Sequence, residues 1–338
     1  MKKLLFLLIV LSVLSCDSDE DKAGRFFIKG NEALNNGELE KAIRFYNEAL
    51  TIKPNYKEAL NNRGVALYQD GRYTEAIIDY SNILVQIDTA YPDAIRNRAN
   101  AYLADGRYEK ALEDLSRLER RFPDSAYVYF TKGIAYHESG DYQQAINAFN
   151  VTLEKDPKDA EALVNAANSY FMLKQMDKAQ SLLTQAEGID ASEPNIYNTR
   201  GMIAMETGQL AKAEEWFDQA LKMDPGNPYY HNNRGYLLLQ MDSLDAAAED
   251  IRRAIIGAPE NAWAYRNRGI LFLKKESYED AIRNFETAAR FDSKIPLLHF
   301  YWAKTLSEQG LLSEACDQLE QEIEDSSEII SLRSKVCK

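Results

Sequence analysis

The chain repeats itself. The segment NNRGVALYQDGRYTEAIIDY at residues 61–80 aligns without a gap on NNRGYLLLQMDSLDAAAEDI at 232–251 and on RNRGILFLKKESYEDAIRNF at 266–285. Extending the alignment yields nine copies, starting at residues 23, 57, 92, 126, 160, 194, 228, 262 and 296. Every step is 34 residues except the second, which is 35. A length of 338 residues would otherwise suggest two ordinary domains. A period near 34 points instead to stacked supersecondary units, each with an apolar flank that only its neighbour can cover.

The positions inside a copy say what the unit is. The eighth is always small (Gly30, Gly64, Ala99, Gly133, Ala167, Gly201, Gly235, Gly269, Ala303), and the twentieth is always Ala, from Ala42 to Ala315. The twenty-fourth is always large and apolar or aromatic: Tyr46, Tyr80, Leu115, Phe149, Leu183, Phe217, Ile251, Phe285 and Leu319. Two helices cross closely where side chains are small, and the large residue fills the space beside the crossing. All nine prolines fall at copy boundaries, as expected for a residue that lacks an N–H and clashes with the preceding turn. Gly37, Gly71, Gly106, Gly140, Gly208 and Gly310 share the fifteenth position, where a left-handed helix cap joins two helices.

This pattern resembles the tetratricopeptide repeat. The resemblance covers residues 23–327 and implies an all-α, right-handed α-solenoid of nine helix hairpins. The departures are small: Tyr129, Tyr197 and Tyr265 stand where a Trp is usual, and Asp88, Ala191 and Ser293 replace the terminal Pro. Residues 328–338 are expected to form an amphipathic capping helix and tail.

The resemblance also implies that the first helix of each copy lines an inner, concave groove. Positions five, six and nine there are rich in Asn: Asn31, Asn61, Asn62, Asn97, Asn100, Asn165, Asn168, Asn198, Asn232, Asn233 and Asn267, with Arg96 and Arg266 among them. Asn is a mediocre helix former, so such a row has a local cost. A carboxamide both donates and accepts, and a ladder of them can pair with the backbone of an extended segment of a partner protein. Asn can equally bridge adjacent repeats, or persist from duplication. A second inward set is aromatic: Tyr127, Phe130, Tyr229, Tyr236, Trp263 and Phe300. These are anchors of the kind favoured at interfaces, or else repeat-to-repeat packing. Aromatic side chains could also stack on a glycan. A clamp for a C-terminal carboxylate, known from some members of the family, is not expected. Asn31 and Asn62 match its pattern, but Phe27, Asp93 and Asn97 stand where three cations are needed.

The N-terminus reads as an address. Lys2 and Lys3 precede an apolar run over residues 4–14, too short to span a bilayer but suited to a signal-peptide core. Val13-Leu14-Ser15-Cys16 resembles a bacterial lipobox. On that resemblance residues 1–15 are removed and Cys16 carries the lipid, which anchors the protein in the cell envelope. Residues 16–22 would then be the lipidated Cys and an acidic linker: a solvated spacer, or an export or retention signal. Cys316 and Cys337 lie near the chain's end, in an oxidising compartment if the leader is read correctly. Antiparallel packing about a turn near residues 325–327 would bring them together as a disulfide; two buried free thiols are the alternative.

Chemistry is not expected. There is no HExxH, paired CxxC, GxSxG or phosphate-cradling Gly loop. His137, His231 and His299 lie in three different copies and read as packing or surface. No metal, cofactor or catalytic residue is assigned. The net charge of −13 disfavours nucleic acid and anionic lipid, whose phosphates need a surplus of Lys and Arg. The sequence thus points to a membrane-anchored scaffold for protein partners, with cell-surface glycan or peptide capture as the alternative.

Overall fold

The computed structural model of the chain describes residues 18–322 and 326–337; Cys16 and the leader lie outside them. The described elements are helices, and they come in pairs. The first four hairpins are α1 (Asp19–Asn35) with α2 (Leu39–Ile52), α3 (Lys57–Gln69) with α4 (Tyr73–Asn82), α5 (Pro92–Ala104) with α6 (Tyr108–Arg121), and α7 (Ala126–Glu138) with α8 (Tyr142–Lys155). They form one compact unit, ending at Asp156. A second unit starts at Pro157. It holds α9 (Ala160–Met172) with α10 (Met176–Ile189), α11 (Pro194–Glu206) with α12 (Leu210–Met223), α13 (Pro228–Gln240) with α14 (Leu244–Gly257), α15 (Ala262–Lys274) with α16 (Tyr278–Phe291), α17 (Leu298–Glu308) with α18 (Leu312–Leu319), and a final α19 (Ser327–Val336). Within each unit the second helix of one hairpin packs on the first helix of the next, which is solenoid stacking. The rhythm runs through residue 157 with no change of composition, so the division into two units is a tertiary fact that the expected uninterrupted array does not contain.

Each hairpin closes on its own small and large positions. The alanine at position twenty is fully buried in all nine copies, and the residue at position twenty-four is at most 1% exposed. The two sites are coupled to position eight. Where that residue is Gly, the partner sixteen residues on is usually an aromatic ring lying where a Cβ would be. A Cβ on Gly30 would meet the Tyr46 ring at 2.5 Å, and one on Gly269 the Phe285 ring at 2.4 Å. Where position eight is Ala (Ala99, Ala167, Ala303), the partner is Leu (Leu115, Leu183, Leu319). Interiors are packed too densely for both members to grow.

The turns are equally regular. All six glycines at position fifteen have φ between 72° and 85°. In the three copies without Gly, the residue there is still left-handed: Lys174, Asp242 and Glu276 have φ of 58–59°. The next N–H then bonds back across the cap, as Glu38 N does to Ala33 O at 2.9 Å. The one 35-residue step is absorbed in a π-helical turn, Ile83–Ile87, closed by Asp88 N to Ile83 O at 2.8 Å, so that α5 still starts at Pro92.

The ends differ somewhat from expectation. α1 begins at Asp19, with Ser18 and Asp21 forming a reciprocal capping box, so most of the acidic linker expected over residues 16–22 is the first turn of a helix. Its carboxylates sit at the positive end of the helix dipole. At the other end, Cys316 and Cys337 are joined by a disulfide, with Cα atoms 5.1 Å apart. α19 lays Ile329 and Val336 against Phe300, Ala303, Leu306 and Leu319. Leu297, left-handed before α17, offers no side-chain cap. The buried Glu322 supplies one from a distance, its Oε2 accepting from Phe300 N at 2.9 Å.

Candidate partner-binding surface

First helices lie side by side within each unit: α1, α3 and α5 in the first, and α9, α11, α13, α15 and α17 in the second. Positions two, five, six, nine, twelve and thirteen of these helices form the face on which a partner was expected. Their asparagines already have partners. Asn62 Nδ2 donates to Asn31 Oδ1 at 2.9 Å, and Asn97 Nδ2 to Asn61 Oδ1 at 3.1 Å. The same step recurs in the second unit, where Asn233 Nδ2 reaches Asn198 Oδ1 at 3.0 Å and Asn267 Nδ2 reaches Asn232 Oδ1 at 2.9 Å. Asn100 accepts from the Tyr127 hydroxyl at 2.8 Å, and Asn168 from Thr199 Oγ1 at 2.6 Å. Asn165 bonds within its own helix, to Glu161 O. Asn31 also accepts from the Tyr46 hydroxyl; burial pushes that phenol up to about 12, so it remains a donor at neutral pH.

The carboxamides therefore act first as stitches between adjacent repeats, the bridging role that the sequence left open. Two of the expected contact residues are out of a partner's reach. Asn267 is 0% exposed, and Arg266 is 3% exposed. The Arg266 guanidinium lies over the Trp263 ring at 4.6 Å and the Tyr236 ring at 4.8 Å, and donates to Asn267 Oδ1 and Pro296 O. A buried charge must be hydrogen-bonded and paired, and this one is held in packing rather than offered to a guest. Arg96 is exposed and pairs with Asp93. The other expected residues, Asn31, Asn62, Asn97, Asn100, Asn165, Asn168 and Asn233, are half-buried.

The same faces do expose apolar surface: Ile28, Tyr68, Tyr127, Met172, Tyr229 and Trp263 are each at least 36% exposed, all of them on first helices. Of the aromatic set read from the sequence, Tyr127, Tyr229 and Trp263 are exposed in this way, Tyr127 with its hydroxyl on Asn100 and Trp263 with Arg266 over its ring. Phe300 is buried, Phe130 packs edge-on against Phe149, and Tyr236 holds Arg266. The arrangement offers hydrophobic anchors between polar rungs, which is the composition of a recognition surface.

The histidines have structural surroundings. His231 and His299 occupy the fourth position of their copies. Each ring bridges to the preceding loop and to the second helix: His231 to Pro225 O and Asp250, His299 to Ser293 O and Gln318. Burial holds His137 below its usual range, and its ring packs on Tyr142. Among the described residues no cluster of three or more His, Cys, Asp or Glu could hold a metal ion, and no helix is long and apolar enough to cross a membrane.

What sequence reasoning missed lies off the first helices. Between the ends of α13, α15 and α16 is a cleft of about 590 Å³ that joins Tyr229 and Trp263 to Phe291, Ile295 and the loop residues Pro259, Glu260, Asn261 and Asp292. No single repeat predicts it, because its walls come from two adjacent copies, those starting at residues 228 and 262.

Comparison with known proteins agrees with this architecture. Tetratricopeptide-repeat family models match residues 30–71, 96–160, 136–203, 198–262 and 232–296, together more than half of the chain. An uncharacterized protein of Methanocaldococcus jannaschii is 40% identical over 60 residues, 18% of this chain and 70% of that protein. The photosystem I assembly protein Ycf3 of Prochlorococcus marinus is 29% identical over 89 residues, 25% of this chain; the match spans about half of Ycf3, 51%. Among solved structures, a chain of the APC/C hetero-tetramer Cut9–Hcn1 superposes with a TM-score of 0.65 over 95% of this chain and 77% of that one. At 15% identity this is a likeness of fold.

Proposed function

Because the chain belongs to the tetratricopeptide-repeat family, we propose that it is a protein-interaction scaffold, tethered to the bacterial envelope by lipid on Cys16, that holds an extended or helical segment of a partner against its first-helix faces. The observation that carries the reading is the exposed apolar anchors on the first helices of each unit, Tyr127 in the first and Tyr229 and Trp263 in the second, in a fold whose polar rungs are stitched into place. Rigid rungs help: a surface already ordered loses less entropy on binding. Ycf3, whose name describes an assembly protein, shares the repeats and supports a role in bringing proteins together. The tether rests on the leader and lipobox read from residues 1–16, and with them go the envelope location and the outer membrane as its site.

The test is crosslinking in the native membrane with the full chain, followed by mass spectrometry. The triple variant Tyr127→Ala/Tyr229→Ala/Trp263→Ala should lose the captured partner while its far-UV circular dichroism stays helical. Unchanged capture would remove these rings from the interface. Cys16→Ala should shift the chain from the membrane to the soluble fraction; continued membrane association would end the lipid-anchor reading. The exposed rings of Tyr229 and Trp263 also favour a second reading, capture of a glycan by stacking, which a glycan array on the same chain addresses.

A further inference from the structure

The cleft beside α15 has a chemical character of its own. Its apolar side is Tyr229, 60% exposed, Trp263, 40%, and Phe291, 44%. Its polar side is acidic, and no Lys, Arg or His lines it. Glu260 is exposed and has no hydrogen-bond or ion-pair partner among the described residues. Asp292 accepts only from the backbone N of Lys294, at 2.8 Å. Asn261 also stands at the cleft's wall. Asn261 Oδ1 caps α15 by accepting from Trp263 N and Ala264 N, while its Nδ2 is shielded from solvent and has no acceptor among the described residues.

These features select one guest. Aromatic faces attract cations and the methylene stems of long basic side chains, and unpaired carboxylates attract the charged head. A glycan would meet the rings but leave the carboxylates without a counter-charge, and an acidic segment would be repelled. We infer that the cleft formed by Tyr229, Trp263, Phe291, Glu260 and Asp292 is a docking site for an extended peptide segment bearing Lys or Arg. The inference rests on the scaffold reading above and adds to it the charge of the partner segment.

The experiment uses the full chain and two capped synthetic peptides, one of alternating Lys and Ala, the other of alternating Glu and Ala. Binding is read by calorimetry and by Trp fluorescence. The Lys peptide is expected to bind and the Glu peptide not to. Glu260→Gln/Asp292→Asn should weaken the Lys peptide roughly fivefold or more and flatten its salt dependence. Tyr229→Ala should weaken it about tenfold. The variant Glu48→Gln/Glu113→Gln removes as much charge from exposed sites elsewhere and should leave binding unchanged; an equal loss there would reduce the effect to general attraction by an acidic surface and overturn the site. Equal binding of both peptides, no binding of either, or a glycan binding in the cleft in place of the Lys peptide would overturn it too. If the Lys peptide fails while native crosslinking still captures a partner, the cleft assignment falls and the scaffold stands. If the peptide binds at the cleft while no partner is crosslinked, the scaffold falls and the cleft remains a peptide site.

Discussion

A glycine at the eighth position of a repeat answers to the ring sixteen residues further on. Gly269→Ala would place a methyl 2.4 Å from the Phe285 ring, and overpacking of this kind costs about 2–3 kcal/mol. Three copies have already solved the same problem as Ala with Leu, so Phe285→Leu in the Gly269→Ala background should recover most of the loss. Urea titrations of the two singles and the double check this; additive losses would show the pair to be uncoupled. The left-handed position makes the opposite prediction. Lys174 and Glu276 hold a conformation that glycine adopts freely, so Lys174→Gly/Glu276→Gly should gain stability, by about 0.5–1 kcal/mol per site after the entropy of the more flexible unfolded chain. A third residue-scale test concerns Asp79, which takes two bonds from Arg63 and is 2% exposed. Burial holds its carboxyl above the ordinary range in spite of the guanidinium, so its charge contributes little net stability. Asp79→Asn should fall within about 1 kcal/mol of wild type, the arrangement that Arg268 and Asn284 already show, whereas Asp79→Ala, which strands Arg63, should cost about 2–3 kcal/mol.

Among the elements, the terminal ones depend most on outside help. An interior helix is covered by the next hairpin; α19 has only α17 and α18 beneath it and is ten residues long, too short to persist alone. The disulfide closes a segment of sequence separation 21, worth about 3 kcal/mol in the chain-entropy account. Cys316→Ser/Cys337→Ser should therefore loosen α19 before it unfolds the rest. Hydrogen exchange is expected to show lost protection over α19 with α1–α16 unchanged; full protection of α19 without the bond would show that its apolar face suffices. The pairing was read from the sequence as one of two options, because equal distance from a turn says that two residues can meet and does not say that they do. The capping of α17 by Glu322 was not legible, since it depends on where an irregular segment returns.

At the scale of the molecule, a repeat array is held together by neighbour contacts, so its parts need not unfold together. All three tryptophans, Trp216, Trp263 and Trp302, belong to the second unit. Trp fluorescence therefore follows that unit, and circular dichroism follows the whole chain. In the Gly269→Ala variant the fluorescence midpoint should move to lower denaturant than the circular-dichroism midpoint. Coincident curves would show that both units unfold as one.

The hairpins themselves were decided by the sequence alone. Their number, their register and the small, large and left-handed positions all depend on residues within one copy, where chain spacing dictates who meets whom. Even the extra residue of the second copy is accommodated locally, in a single π turn. Contacts between copies were another matter. Asn62 was readable as a free carboxamide until Asn31, in the preceding hairpin, was seen to accept from it, and Arg266 as a groove cation until Trp263 and Tyr236 were seen to enclose it. The acidic aromatic cleft belongs to the same class. It arises where side chains from adjacent copies converge, and a one-dimensional pattern carries the identity of those side chains but not the distance between them.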